Sequence, residues 1–140
     1  MPDLKIVAYD NEHQPHIRAI REAVFIQEQG VPPELEFDGL DASAMQVLVA
    51  VDGNYVGTGR MLDDGHIGRI AILQAYRGQG LGGHVVQALV DEAARLKYPR
   101  VYLGAQTHAI DFYAKLGFTP YGEEFMDAGI PHLAMEKSLT

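Results

Sequence analysis

Four glycines fall within six residues, Gly78 to Gly83, in the stretch "YRGQGLGGHVVQALVDEAARL" that runs from Tyr76 to Leu96. Glycine loses the most backbone freedom on folding, so this density just ahead of an amphipathic segment needs a reason. A helix start exposes unpaired N–H groups and the positive end of the helix dipole. An anion can rest there when no Cβ blocks its approach to the backbone. Gly78, Gly80, Gly82 and Gly83 would clear that approach, Gln79 and Leu81 still offer their own N–H groups, and Arg77 adds a positive charge beside them. The segment reads as a backbone cradle for a diphosphate, with a ligand-free strand-to-helix turn as the other reading. Two better-known phosphate loops do not fit. "GQGLGGHV" lacks the Gly-Lys-Ser/Thr ending of a P-loop, and hairpin-joined strands stand where a dinucleotide fold needs alternating strands and helices.

Those strands and the helices around them must position the turn. "LKIVAY", Leu4 to Tyr9, is β-prone, and Pro15 suits the first turn of a helix carrying Ile17, Ile20 and Val24 on one face. That helix fails at "QGVPP", and the acidic "PELEFDGLDASA" after it lacks apolar periodicity, so a loop with at most a helical turn is expected. Strands follow at Met45–Val51, Tyr55–Leu62 and His66–Leu73, joined at Asp52-Gly53-Asn54 and Asp63-Asp64-Gly65, where tight connections need positive φ. Beyond the glycines, Leu81, Val85, Leu89, Ala93 and Leu96 mark the apolar face of a helix ended by Pro99. "RVYLGA" is then a strand, "THAIDFYAKLG" a helix closed by Gly117, and "FTPYG" and "PHLAMEKSL" the last strands. The crossover into "RVYLGA" requires parallel pairing if both strands share a sheet. The order β-α-βββ-α-β-α-ββ makes residues 1–140 one mixed α/β domain.

The totals agree with such a domain: 140 residues, 47% hydrophobic and 21% charged. A net charge of −8 argues against nucleic acid and anionic lipid as partners. With no cysteine there is no disulfide, thiolate zinc site or cysteine nucleophile. No signal-like start or bilayer-length apolar run is present, so a cytoplasmic protein is expected. His13 and His16 lack a third ligand at fixed spacing, and no metal is expected.

Hairpin-joined strands followed by this glycine turn resemble the Gcn5-related N-acetyltransferases (GNAT). Their signature is Arg or Gln, two residues, Gly, one residue, then Gly or Ala, and Arg77-Gly78-Gln79-Gly80-Leu81-Gly82 meets every fixed position. "AQTHAIDFYAKLGF", Ala105 to Phe118, resembles the second signature, with Gln106 in place of the usual Asn. "VFIQEQGVPPELEFDGLDASA", "GRIAIL" and "EEFMDAGIPHLAMEKSL" are similar to a small bacterial subfamily that includes the ElaA and YjcF proteins. The resemblance implies an α+β GNAT-like domain: a mixed, mostly antiparallel sheet with a central parallel strand pair, flanked by helices. It also implies acetyl-CoA as cofactor, a small-molecule or peptide amine as acceptor, and a possible homodimer.

Carried onto this chain, the resemblance places the pantetheine arm against backbone groups of Ile70, Ala71 and Ile72, the diphosphate on Arg77 to Gly83, and a further contact at Gln106. Tyr113 falls where the family has its general acid. A phenol is neutral at pH 7 and can hydrogen-bond a departing thiolate, whereas core packing beside Phe112 and Phe118 is the alternative. The register of the usual general-base glutamate falls on His66, which could instead be an exposed hairpin residue. His132, Glu28, Glu34, Glu36 and Asp41 are rival bases, and Glu28, Glu36 and His132 are candidates for binding the acceptor, with solvated loop charge as the other reading of the acids. The implied reaction is direct acetyl transfer to a primary amine. A non-catalytic acyl-CoA-binding or sensing module would carry the same glycine turn.

Overall fold

A computed structural model describes residues 2–140. Strands β1 (Asp3–Val7), β2 (Met45–Val51), β3 (Asn54–Met61) and β4 (Ile67–Ile72) form an antiparallel sheet in chain order. A second sheet places β8 (Ile130–Ser138) between β5 (Arg100–Gln106) and β6 (Thr119–Pro120), with β7 (Phe125–Asp127) also paired to β8. Helices α1 (Gln14–Arg21), α2 (Pro33–Glu36), α3 (Leu81–Arg95) and α4 (Ile110–Lys115) complete the mixed α/β arrangement, with α1 running directly into a π-helical stretch, Glu22–Glu28.

Alternation and period account for the core. Val47 and Val49 of β2 meet Leu81, Val85, Leu89 and Ala93 of α3, and Phe118 and Met135 extend this cluster to the second sheet. Ile17, Ile20 and Val24 pack with Leu48 and Ala71 on the opposite face of the first sheet. The helical face expected to end at Leu96 stops one turn sooner: Leu96 lies past the last helical residue and is exposed.

Three other departures concern the site. The chain from Glu22 to Glu28 forms i→i+5 bonds, and such widened turns often mark functional positions. Strand β7 escapes sequence reading because it has three residues; the turn at Ala128 and Gly129, both with φ above 50°, folds it onto β8. The acidic loop is not simply solvated. Glu36 and Asp41 are buried, and Arg21, equally buried, donates from Nε to Glu36 at 2.6 Å and from Nη1 to Asp41 at 2.5 Å.

Candidate active site

β4 pairs with β3 along one edge only. On its other side a single parallel bridge, His66 to Tyr102, joins it to β5, with the Tyr102 N–H donating to the Gly65 carbonyl at 3.0 Å. Past that point the two sheets part. The expected parallel pair is thus a splayed seam, and the splay is what makes room for a ligand.

Which backbone groups face the seam follows from register. The Leu73 N–H donates to the Val56 carbonyl of β3 at 2.9 Å. Successive residues in a strand turn their polar groups to opposite edges, so those of Ala71 face β3 while those of Ile70 and Ile72 face the gap. The Ile72 carbonyl accepts from Arg77 Nε at 2.9 Å, as a group outside the ladder can. A bulge sharpens the divergence: Thr58 opposes Ala71 and Arg60 opposes Gly68, so Arg69 and Ile70 together face Gly59. Arg69 adopts φ 53°, and its guanidinium is held by the carbonyls of Leu35 and Glu36 and by the carboxylates of Glu36 and Asp38.

Two adjoining cavities of about 400 and about 840 Å³ occupy the seam and share Gln29, Ile70, Gln106, Phe112 and Ile130 among their walls. The larger one runs past Ala71 and Ile72 to Arg77, Gly78, Gly80, Leu81 and Gly82. Here α3 begins, and its first backbone bond is His84 N–H to the Gly80 carbonyl at 3.2 Å. Among the described residues, none of the amides from Gly78 to Gly83 donates to a protein acceptor. Gly78 and Gly80 have φ near +80°; a Cβ on Gly78 would meet open space and one on Gly80 only His84 Nε2 at 4.0 Å, so they shape the turn and clear it. Gly82 and Gly83 do something further: a Cβ on either would touch the Phe112 ring, at 3.5 and 3.9 Å. These two glycines seat Phe112, which is therefore not the core residue its helix position indicated; it is 40% exposed and lines both cavities. Gln79 and Gly83 belong to the turn but do not border the cavity.

Arg77 is not a free charge. Its Nη1 and Nη2 donate to the two oxygens of Glu28 at 2.6 and 2.8 Å, and the pair is partly exposed. Glu28 therefore stands at the glycine turn, not on the opposite side of the seam, and Arg77 pulls its carboxyl below the usual range. The π-helical turn brings Glu28 here, and the neighbouring Gln29 accepts from Gln106 Nε2 at 3.2 Å, where the two cavities meet.

The smaller cavity holds the remaining candidates. Tyr113 lines it, packs edge-on to Phe112 and Phe118, and offers a hydroxyl with no hydrogen-bond partner among the described residues. Burial pushes this phenol up to about 12, so it stays protonated. His66 also lines the cavity, half-buried, its ring stacked on Tyr102 at 4.7 Å. Burial lowers its pKa, Arg60 and Arg69 reinforce that, and Asp64 and Asp127 oppose it, leaving a neutral imidazole at pH 7. His132 is buried, and its Nδ1–H donates to the Ile130 carbonyl at 2.7 Å, which leaves Nε2 as the acceptor in the neutral ring.

Glu36 borders the same cavity, but its carboxylate is occupied by Arg21 and by Arg69. Asp41 lies away from the cavity wall and is shared by Arg21 and Arg60, while Asp38 takes Arg60 Nη2 at 2.6 Å. Three arginines and three carboxylates thus close a balanced cluster beneath the site. Sequence reading missed it because the partners lie 15 to 33 residues apart. Asp127, too, went unnoticed, since it depends on the short strand β7.

A splayed strand pair, a glycine-opened helix start and a tyrosine on the wall of the seam are the features of a GNAT domain, and the acetyltransferase (GNAT) family model matches residues 11–139. The chain belongs to that family. It is similar to the uncharacterized N-acetyltransferase YjcF of Bacillus subtilis, at 39% identity over 94% of this chain and 97% of that one. Crystal structures of an acyl-CoA N-acyltransferase from Pseudomonas aeruginosa and of Escherichia coli ElaA each superpose with a TM-score of 0.88, at 29% and 27% identity, covering 99% of this chain and all of theirs.

Proposed function

We propose that this protein transfers an acetyl group from acetyl-CoA directly to a primary amine. The observation that carries the reading is the unpartnered hydroxyl of the half-buried Tyr113, open to the seam into which β4 turns the backbone of Ile70 and Ile72. The residues present fit the cofactor. Six consecutive free amides, Gly78 to Gly83, and the Arg77 guanidinium suit a diphosphate, and the open edge of β4 suits the amide-bearing pantetheine arm. The exposed Glu28–Arg77 pair is weak enough for a doubly charged diphosphate to displace. Bound there, acetyl-CoA supplies an acyl thioester.

The chain's own groups then handle protons. An acceptor amine arrives as ammonium and must lose a proton before it can attack. His66, kept neutral by burial, accepts a proton from the acceptor nitrogen, directly or through water. Tyr113 retains its proton at Oη and offers it as a hydrogen bond to a departing sulfur, where an uncompensated anion would be costly. Gln106 and Gln29 brace the junction of the two cavities.

The test is release of free CoA from acetyl-CoA across a panel of amines, with an acceptor-free incubation to register hydrolysis. Amine-dependent release supports the transferase. Tight CoA binding with no release on any amine supports the sensing module instead.

A further inference from the structure

The acidic loop "ELEFDGLD" looks at first like the surface that would receive a cationic acceptor, yet its two buried carboxylates, Glu36 and Asp41, and the more exposed Asp38 are already used. Glu36, Asp38 and Asp41 are bound by Arg21, Arg60 and Arg69. Among the described residues, the carboxylates that line the acceptor-side cavity are Glu36 and Asp127. Asp127 takes part in no ion pair or side-chain hydrogen bond among the described residues. It stands opposite Ile130 in the β7–β8 hairpin, close enough that its charge acts on His66.

Phe125 lies two residues earlier on the same face of β7, also lines the cavity, and stacks on His132 at 5.6 Å. With Leu35 and Phe112 it gives the cavity three large apolar side chains that are 40–53% exposed. Among the described residues of the wall the one arginine, Arg69, is fully engaged, which leaves no free guanidinium there for an anionic group. A volume of about 400 Å³ suits a small molecule.

Building on the acetyltransferase reading, we infer that Asp127 is the carboxylate that receives the acceptor, a small monoamine whose single cation meets Asp127 beside His66 and whose apolar body rests on Phe125, Leu35 and Phe112. A polyamine would bring further cations into a wall without a second free carboxylate, and an amino acid would bring a carboxylate with no free cation to meet it. Both are disfavoured on desolvation.

The experiment compares acetylation of 2-phenylethylamine, spermidine, phenylalanine and a lysine-containing peptide by wild type and Asp127→Asn, alongside calorimetric binding of the same compounds to the CoA-loaded protein. The expected result is a kcat/KM for 2-phenylethylamine at least tenfold above the other three. In Asp127→Asn, its KM should rise about tenfold while kcat changes less than about threefold, as loss of a charge-assisted contact requires. CoA affinity should be unchanged. A preference for spermidine, phenylalanine or the peptide, or an unchanged KM in the variant, overturns the inference. If no amine is acetylated yet 2-phenylethylamine binds wild type and not Asp127→Asn, the transferase reading fails and the role of Asp127 stands. If 2-phenylethylamine does not bind at all, the inference falls even where another amine is acetylated.

Discussion

The charged cluster beneath the site and the seam above it treat polar groups in opposite ways. Below, Arg21, Arg60 and Arg69 face Glu36, Asp38 and Asp41, and no buried side-chain nitrogen or oxygen among the described residues lacks a partner. Above, six backbone amides, the Tyr113 hydroxyl and the Asp127 carboxylate have none within the protein. Burial of a charge is tolerated only when it is paired, so the lower region is a structural brace that pins the acidic loop and the β4 bulge. Groups left unpaired at a cavity wall are available to a ligand. The contrast separates the two kinds of acidic residue better than their position in the chain does.

The comparison can be broken first at the brace. Replacing Arg21 with Met leaves Glu36 and Asp41 buried without their main partner, and should cost about 3–5 kcal/mol in urea unfolding. Tyr113→Phe attacks the other region, where there is no internal hydrogen bond to lose. We expect kcat to fall about 100-fold at saturating acetyl-CoA, with melting temperature and CoA affinity nearly unchanged. An equal loss of stability in the two variants would erase the distinction.

Acidification probes both regions together. Arginine contacts outweigh burial at Asp41 and hold Asp38 well below the carboxylate range, so their stabilisation is present above the unfolded value, about 4, and is lost as pH falls through the folded values. His66, whose folded pKa is depressed, acts in the same direction: the unfolded chain takes up its proton first as pH drops below about 6.5. Unfolding free energy should therefore rise with pH from 3 to 7. If His66 is the base, the acid limb of kcat/KM should have its midpoint below about 6.5, and His66→Gln should lower kcat about tenfold and remove that limb. The smallest effect belongs to the surface. Glu28→Gln frees Arg77 and should tighten CoA binding about two- to fivefold in a calorimetric titration.

What sequence reading captured was local. The glycine turn, the face of α3 from Leu81 to Ala93 and the two hairpin turns depend on neighbours a few residues apart, and residue type alone carries that information. Leu96 departs because the helix ends before the period does. The roles of Glu36 and Asp41 depend on arginines brought in from α1 and from β3 and β4, which a run of acids cannot reveal. The same holds for Glu28, turned toward Arg77 by a π-helical stretch that looks in sequence like ordinary helix. Asp127 was hidden by a three-residue strand too short to show alternation.

The most direct measurement is a crystal structure with coenzyme A. The account predicts the diphosphate on the amides of Gly78 to Gly83, the pantetheine arm along Ile70 and Ile72, and the sulfur within hydrogen-bonding reach of Tyr113 Oη. A diphosphate bound elsewhere, or a sulfur that turns away from Tyr113, would contradict it.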